Sequence, residues 1–282
     1  HLSYLVAFGE WSTEFFYDNA NLNASPLERN DAAKLEIGCA GKNTAKQIQS
    51  AHTVMWVGQT KENGRGVYML NGTSPVKVSD EHIEYFLNAA YMDPAIAYTI
   101  QISGHILYIL TIPAWANTIP PQSAHTFVYD LTEKVWYQWT SADANGVEDY
   151  FSPMNHAPFV GLFTFLAWDN TITLLDRVSH LDETNDIYMR VVTPKIDGGN
   201  NKYKFWNSVE VIGDNVDCTL KVRHTNDDYN NWSTYREVDM STKRPVLRQL
   251  GIGERKAFEL LCTGDKHVRL EALEANVTEG LV

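Results

Sequence analysis

Three groups of carboxylates are the first candidates for chemistry: Asp143/Glu148/Asp149, Asp182/Glu183/Asp186 and Asp227/Asp228. Paired carboxylates hydrolyse glycosidic bonds when they converge across a sugar, one as acid and the other as base or nucleophile. Each group here falls in a stretch with the polar composition of a turn. The chain carries 35 acidic against 23 basic side chains, a net charge of −12, so acid-rich surface turns are expected without any catalytic purpose. Solvated turns are the simpler expectation for all three.

Metal and nucleophile chemistry have no better footing. The nine histidines include no HExxH or other close pair, and the acidic loops lack the glycine of a calcium loop. His105, in Ser103-Gly104-His105 at the start of a strand, is expected to be packed and hydrogen-bonded. There is no GxSxG elbow, and Cys39 in Gly38-Cys39-Ala40 has no activating neighbour, so it reads as a small core residue. Gly64-Arg65-Gly66 reads as a hairpin turn, without the following helix that a phosphate site needs. The sequence therefore assigns no catalytic, cofactor-binding or metal-binding residue, and no cofactor.

One turn is more specific. Thr225-Asn226-Asp227-Asp228-Tyr229-Asn230-Asn231-Trp232-Ser233 resembles the Asp-box hairpin, Ser-x-Asp-x-Gly-x-Thr-Trp, but lacks its central Gly and its Thr. In that motif the Asp closes the turn and the Trp packs beneath it. An Asn/Asp-rich turn anchored by a Trp is the expectation here.

Composition bounds the rest. An apolar fraction of 44% and 33 aromatic residues (8 Trp, 14 Tyr, 11 Phe) exclude disorder and supply a large core. The acidic surplus excludes a surface built to grip duplex DNA, though not a conduit for it. Cys39, Cys218 and Cys262 are widely spaced and read as thiols in a reducing compartment. Four sequons, at Asn23, Asn71, Asn231 and Asn276, are about the number expected by chance. The longest apolar run, Ile106 to Ala116, is broken by Pro113 and too short to span a membrane. No signal peptide is visible, and the opening on His1 rather than Met points to lost upstream sequence.

The elements that would position these residues read as strands. Thr53–Val57, Ile106–Leu110 and Phe163–Trp168 are rich in β-branched and aromatic residues, and Asp169-Asn170 turns the last of them into Thr171–Leu175. One short helix is expected over Asp80 to Leu87, capped by Ser79, with Ile83, Phe86 and Leu87 on one face. A faint repeat runs through Phe16-Tyr17-Asp18, Val67-Tyr68-Met69, Val128-Tyr129-Asp130 and Leu174-Leu175-Asp176, at spacings of 51, 61 and 46 residues. Periods of this size, with about four strands each, mark β-propeller blades. The long interval contains the insertion Ala114–Ser123 with Pro120-Pro121, of which Ala114–Pro121 is expected to be a contact loop whose deletion spares folding and weakens assembly. In Tyr129–Trp136 a kelch-type turn is expected, with Asp and Thr building the turn and Trp packing between blades.

Residues 1–190 carry 10 basic and 21 acidic side chains, a net of −11, whereas 191–282 carry 13 and 14. The change falls near Thr193-Pro194, before the turn-rich Lys195–Asn201. The expected organisation is all-β: propeller blades over 1–192, incomplete at the N-terminus, then a small antiparallel β-sandwich or barrel over 193–282. In the latter, Trp206–Ile212, Cys218–His224, Ala257–Leu261 and Val268–Asn276 alternate in period two.

Taken in order, these pieces resemble the packaged-DNA stabilisation protein, or tail hub (nozzle), family of short-tailed bacteriophages. The shared wording runs from Ala7-Phe8-Gly9-Glu10 through Gly38-Cys39-Ala40, Trp56-Val57-Gly58, Gly66-Val67-Tyr68 and Val78-Ser79-Asp80 with Ile83-Glu84. It continues through Ala97-Tyr98, Ser103-Gly104-His105, Tyr108–Pro113, Tyr129-Asp130 and Trp136. In the C-terminal region it rests on Asn226-Asp227, Trp232-Ser233, Leu250-Gly251 and Arg255.

What the resemblance implies is a structural protein of the virion tail, not an enzyme, assembled in the host bacterial cytoplasm. Its expected form is a homo-hexameric ring below the portal and adaptor. Such a ring retains packaged DNA, passes duplex DNA through its bore without specific binding, and anchors tail fibres or spikes and a tail needle. No membrane partner is expected. Inward-facing acids, multiplied around the ring, would repel phosphate. Two other readings remain open at this stage. One is a propeller glycan hydrolase or tail depolymerase using acids such as Asp149 and Asp182. The other is a kelch-like protein-binding module built around Tyr129–Trp136.

Overall fold

The computed structural model describes residues 1–21, 24–62, 64–117, 122–143, 145–159, 162–167, 170–176, 179–182 and 184–280. Asn23, Trp168, Asp169, Glu183 and the tip of the insertion, with Pro120-Pro121, lie outside the described residues. The chain packs as two compact units, His1–Thr140 with Asp149–Leu175, and Ser141–Glu148 with Asp176–Val282.

The first unit is a succession of antiparallel sheets, each built from consecutive strands. β1 (Leu5–Phe8), β2 (Thr13–Asp18) and β3 (Leu27–Arg29) form the first sheet. In the second, β4 (Gly38–Cys39) and β5 (Lys46–Ile48) lie end to end along β6 (Thr53–Gln59), followed by β7 (Arg65–Asn71) and β8 (Ser74–Lys77). Helix α1 (Glu81–Ala89) leads to the third sheet, formed by β9 (Ile96–Ile102), β10 (His105–Ile112), β11 (His125–Asp130) and β12 (Val135–Gln138). After a two-stranded ladder, β13 (Thr140–Ala142) with β14 (Glu148–Tyr150), comes the fourth sheet, β15 (Asn155–Phe159), β16 (Leu162–Leu166) and β17 (Ile172–Leu175). All four repeat signatures fall on or at the end of a strand, β2, β7, β11 and β17, one in each of the four sheets.

Side-chain alternation stacks these sheets face to face. Successive residues of a strand point to opposite faces. On β6, Val54 and Trp56 join Phe15 in the core against the first sheet, while Met55 and Val57 join Tyr108 and Leu110 in the core against the third. On β10, Leu107 and Ile109 turn the other way, to meet Phe165 of the fourth sheet. The inner sheets are thus covered on both sides, which is why β6 and β10 read as continuous apolar runs. Where the first and second sheets meet, β4 approaches the backbone of Glu10 so closely that any Cβ at position 38 would collide with it. Only glycine fits there.

Helix α1 forms as expected, with one correction. Its N-cap is Asp80, whose side chain accepts from the Ile83 amide, and not Ser79. The Ser79 hydroxyl is already committed, accepting from Val67 N–H and donating to Glu84. The helix buries Ile83 and Leu87, and Phe86 packs partly buried beside them. Arg65 and Gly66 are also reassigned: Gly64 makes the turn at φ +79°, whereas both following residues belong to β7. The Arg65 guanidinium reaches the carbonyls of Leu87 and Ala90, supplying the positive charge that the last helical turn itself lacks.

The second unit is a β-sandwich. After the short hairpin β18 (Leu181–Asp182) and β19 (Asn185–Asp186) come β20 (Met189–Val192), β21 (Lys204–Gly213), β22 (Thr219–Thr225), β23 (Arg236–Asp239), β24 (Val246–Arg248), β25 (Ile252–Gly253), β26 (Ala257–Cys262) and β27 (Leu270–Glu279). One sheet has the order β20-β26-β22-β23; in the other, β21 is flanked by β24 and β25 on one side and β27 on the other. Trp206, Val209 and Val211 of one sheet meet Leu220, Val222, Phe258 and Leu260 of the other. The compact unit starts at Asp176, before the compositional change at Thr193, because β20 pairs with β26. β26 does not alternate: all six of its residues are buried, since Glu259 on its outer face is enclosed by charged neighbours.

Candidate functional site

The structure disperses the candidate carboxylates into local roles. Asp143 closes its own turn, accepting from the amides of Asn145 and Val147, and these bonds hold its carboxyl below the usual range. Glu148 pairs with Arg190 at 2.9 Å, and Asp149 accepts from the Tyr150 amide. Asp182 and Asp186 occupy successive rungs of the β18–β19 hairpin, opposite Asn185 and Leu181 respectively. They therefore point to opposite faces and do not converge. Asp228 pairs with Lys195 at 2.7 Å and Arg255 at 3.0 Å. Asp227 accepts from the Thr225 hydroxyl and from the backbone and side chain of Asn231. Those bonds, the Asn231 side chain first, pull its carboxyl down to about 2.

The remaining sequence candidates are also structural. Trp232 lies beside Tyr229 and under the Arg223 guanidinium, so the Asp-box-like turn is closed by its Asp and anchored by its Trp. The Cys39 thiol donates toward the Gly41 carbonyl at 3.1 Å, and burial raises its pKa, which keeps it protonated and unreactive. All three cysteines are free thiols. The His105 ring contacts Asp130 at 2.6 Å. Burial alone would raise the Asp130 carboxyl, but the amides of Thr132 and Glu133 and the His105 ring together hold it below its ordinary value. This cluster builds the expected kelch-type turn. Among the described residues no group of three His, Cys, Asp or Glu side chains is placed to hold a metal, and no helix is long and apolar enough to cross a membrane.

What the fold does concentrate is a set of polar fasteners at the seams between stacked sheets. Trp136 on β12 donates its indole N–H to the Val78 carbonyl beyond β8 at 2.8 Å, so it packs between blades as its turn implied. At the other end of the same seam, Tyr108 on β10 donates to the Thr44 carbonyl at 2.8 Å. Thr44 itself accepts from the Val57 amide, and Ala97 N–H donates to the Asn43 carbonyl. The loop between β4 and β5, missed by the sequence reading, is therefore the anchor point of the third sheet. In the seam between third and fourth sheets, the buried Tyr98 hydroxyl has no hydrogen-bond partner among the described residues.

These two tyrosines give a paired prediction. Tyr108→Phe leaves the Thr44 carbonyl buried and unpaired and is expected to cost about 1 to 2 kcal/mol. Tyr98→Phe removes an unpartnered hydroxyl and is expected to be neutral or stabilising. Urea denaturation of both variants checks the contrast, and equal losses would contradict it.

Two buried cations in the sandwich also escaped the sequence reading. Lys204 is enclosed, its ammonium donating to the carbonyls of Asn200, Lys202 and Glu254. Lys256 is equally buried but has Asn226 Oδ1 as its hydrogen-bond partner, and burial pulls its pKa down to about 8. An unfolded lysine keeps its proton to about pH 10.4. Between about pH 8 and pH 10 the unfolded chain therefore holds more protons, so stability rises with pH across that window. Lys256→Met is expected to stabilise the unit by about 2 kcal/mol at pH 7 and to abolish that rise. Denaturation at a series of pH values tests this, and parallel profiles for both proteins would refute it.

Comparison with known proteins follows the same division. No curated protein matches the chain. The family model described as bacteriophage P22 Gp10, beta-propeller, matches residues 2–157, which takes in the first three stacked sheets with their seams and reaches into the fourth. With more than half of its length matched and its strands arranged as consecutive, face-to-face antiparallel sheets, this all-β chain belongs to the bacteriophage P22 Gp10 β-propeller family.

Proposed function

We propose that this chain is a structural component of a phage tail, a hub or nozzle ring rather than a catalyst. In this reading a homo-hexamer continues the DNA channel below the portal and adaptor, retains packaged DNA, and anchors fibres or spikes and a needle. The observation that carries it is the family match over the sheet-stacking unit. The chemistry agrees in kind, since the candidate acids are spent on turns and ion pairs, and the polar groups of the first unit fasten one sheet to the next.

The electrostatics suit a passage more than a grip. A surplus of 11 acidic charges on residues 1–190 repels phosphate, so DNA would meet a slippery wall. Negative-stain microscopy of the full-length protein mixed with its adaptor tests the reading. Six-fold rings are expected; a monomer that never joins the adaptor or the particle would refute it.

A further inference from the structure

We propose that Cys218 and Cys262 are a pair placed to cross-link, a redox-dependent covalent lock inside the sandwich. β26 pairs with β22 so that Cys262 lies opposite Leu220, and both side chains enter the core between the two sheets. Cys218 stands two residues before Leu220 and therefore on the same face. The Met240 amide donates to its carbonyl, which carries the pairing of β22 with β23 one residue beyond Thr219. Cys218 packs against the core cluster that holds Cys262, Leu220 and Met240. There the two thiols meet, the Cys262 S–H donating to the Cys218 sulfur. Diagonal neighbours stand farther apart than directly opposite residues, so closing the bond falls on Cys218. It lies outside the ladder that β22 makes with β26, after a tight turn in which its amide donates to the Val216 carbonyl at 2.8 Å. Cys262, by contrast, is fixed in its strand between Met189 and Leu220.

The two cysteines are unequal, and that orders the exchange. Cys218 is half-buried, whereas Cys262 is 5% exposed. Burial raises both thiols, Cys262 to about 11; Asp217 and Asp239 add to the rise at Cys218, and the Cys262 S–H opposes it. A small disulfide such as oxidised glutathione therefore meets Cys218 first. The Cys218 thiolate attacks one of its sulfurs, the bond between the two glutathione sulfurs breaks, and one glutathione thiolate leaves with the Cys218 proton. Cys262 then gives up its proton and attacks the Cys218 sulfur of the mixed disulfide, expelling the second glutathione, which takes that proton. The protein is oxidised by two electrons and the small disulfide is reduced by two. The new bond closes the chain from Cys218 to Cys262, with β22 through β26, into one loop, and it constrains the unfolded chain most because that loop is long. A chain passing from a reducing to an oxidising compartment gains the bond. The inference rests on the sandwich and not on the hub reading above.

The test incubates the reduced, folded full chain with oxidised glutathione at about pH 8.5, where thiols begin to ionise. Intact mass should fall by two hydrogens, and digestion without reductant should release a Cys218–Cys262 peptide pair. Cys39 is the internal control: it belongs to the first unit, where its thiol donates to the Gly41 carbonyl, and it should remain open to alkylation once the chain is unfolded. The sandwich transition in calorimetry should rise by about 10 °C or more, and return when reductant is added. Cys262→Ala should stop the exchange halfway, with one glutathione held on Cys218, whereas Cys218→Ser should leave the buried Cys262 unmodified. Should Cys262→Ala fail to fold, the mass and peptides of the unaltered chain decide the question alone. Cys218 and Cys262 both still open to alkylation, a bond that includes Cys39, or a bonded chain whose sandwich melts no higher would each overturn the proposal.

Discussion

Replacing Trp56 by alanine is expected to destabilise the first unit by about 3 to 5 kcal/mol. The indole is fully buried between Phe8 at 5.3 Å and Tyr68 at 5.8 Å, and its N–H donates to the Gly38 carbonyl at 3.1 Å. Truncation therefore opens a cavity in the core between first and second sheets and removes the indole's hydrogen bond at the point where glycine is required. Trp56→Phe keeps most of the volume and loses the bond, so a loss of about 2 kcal/mol is expected. Denaturant melts read by far-UV circular dichroism check both. A Trp56→Ala loss below about 1 kcal/mol would mean that the sheets do not lean on this residue.

Glu259→Ala is expected to cost the sandwich about 2 to 3 kcal/mol. Its carboxylate is buried at the centre of one sheet, paired with Arg223 at 2.5 Å and Arg190 at 3.1 Å, and it accepts from the Tyr235 hydroxyl at 2.9 Å. Arg223 lies between the rings of Trp232 and Tyr235. Removing the acid leaves that guanidinium without its charged partner in a partly dry site. The double variant Glu259→Ala with Arg223→Met removes the stranded charge as well and should recover part of the loss. Calorimetry should show the change in the sandwich transition and not in that of the sheet stack. A double variant worse than the sum of its singles would contradict this account.

The strands of the first unit were legible because burial on both faces writes itself as unbroken apolar runs, as in Thr53–Val57 and Ile106–Leu110. The repeat was legible because one signature triplet falls on a strand of each successive sheet. Where neighbours in space are far apart in sequence, reading failed. Ser79 and Asp80 are both good caps, and the choice between them is made by the amide of Val67 on another strand. Arg65 looked like part of a glycine turn because its partners, the last carbonyls of α1, lie more than twenty residues on.

The second unit begins earlier than composition suggested because β20 pairs with a strand some seventy residues downstream. Of the candidate site, the acids were readable as turns, since an Asp two to four residues before its amide partners is a local pattern. Glu259 was not, although a lone acid inside Ala-Phe-Glu-Leu-Leu-Cys was a signal that a buried partner waited for it. The Tyr108 and Trp136 fasteners depend on carbonyls in neighbouring sheets, which no local pattern announces. Trp136 was placed only through the turn that precedes it.

The central claim is that this chain is built into the tail of a phage particle as a ring. Quantitative mass spectrometry of purified, nuclease-treated particles tests it most directly. The account predicts the chain at about six copies per particle, its number unchanged after DNA has been released. Particles that lack the chain, or carry it in amounts that vary from one preparation to the next, would contradict it.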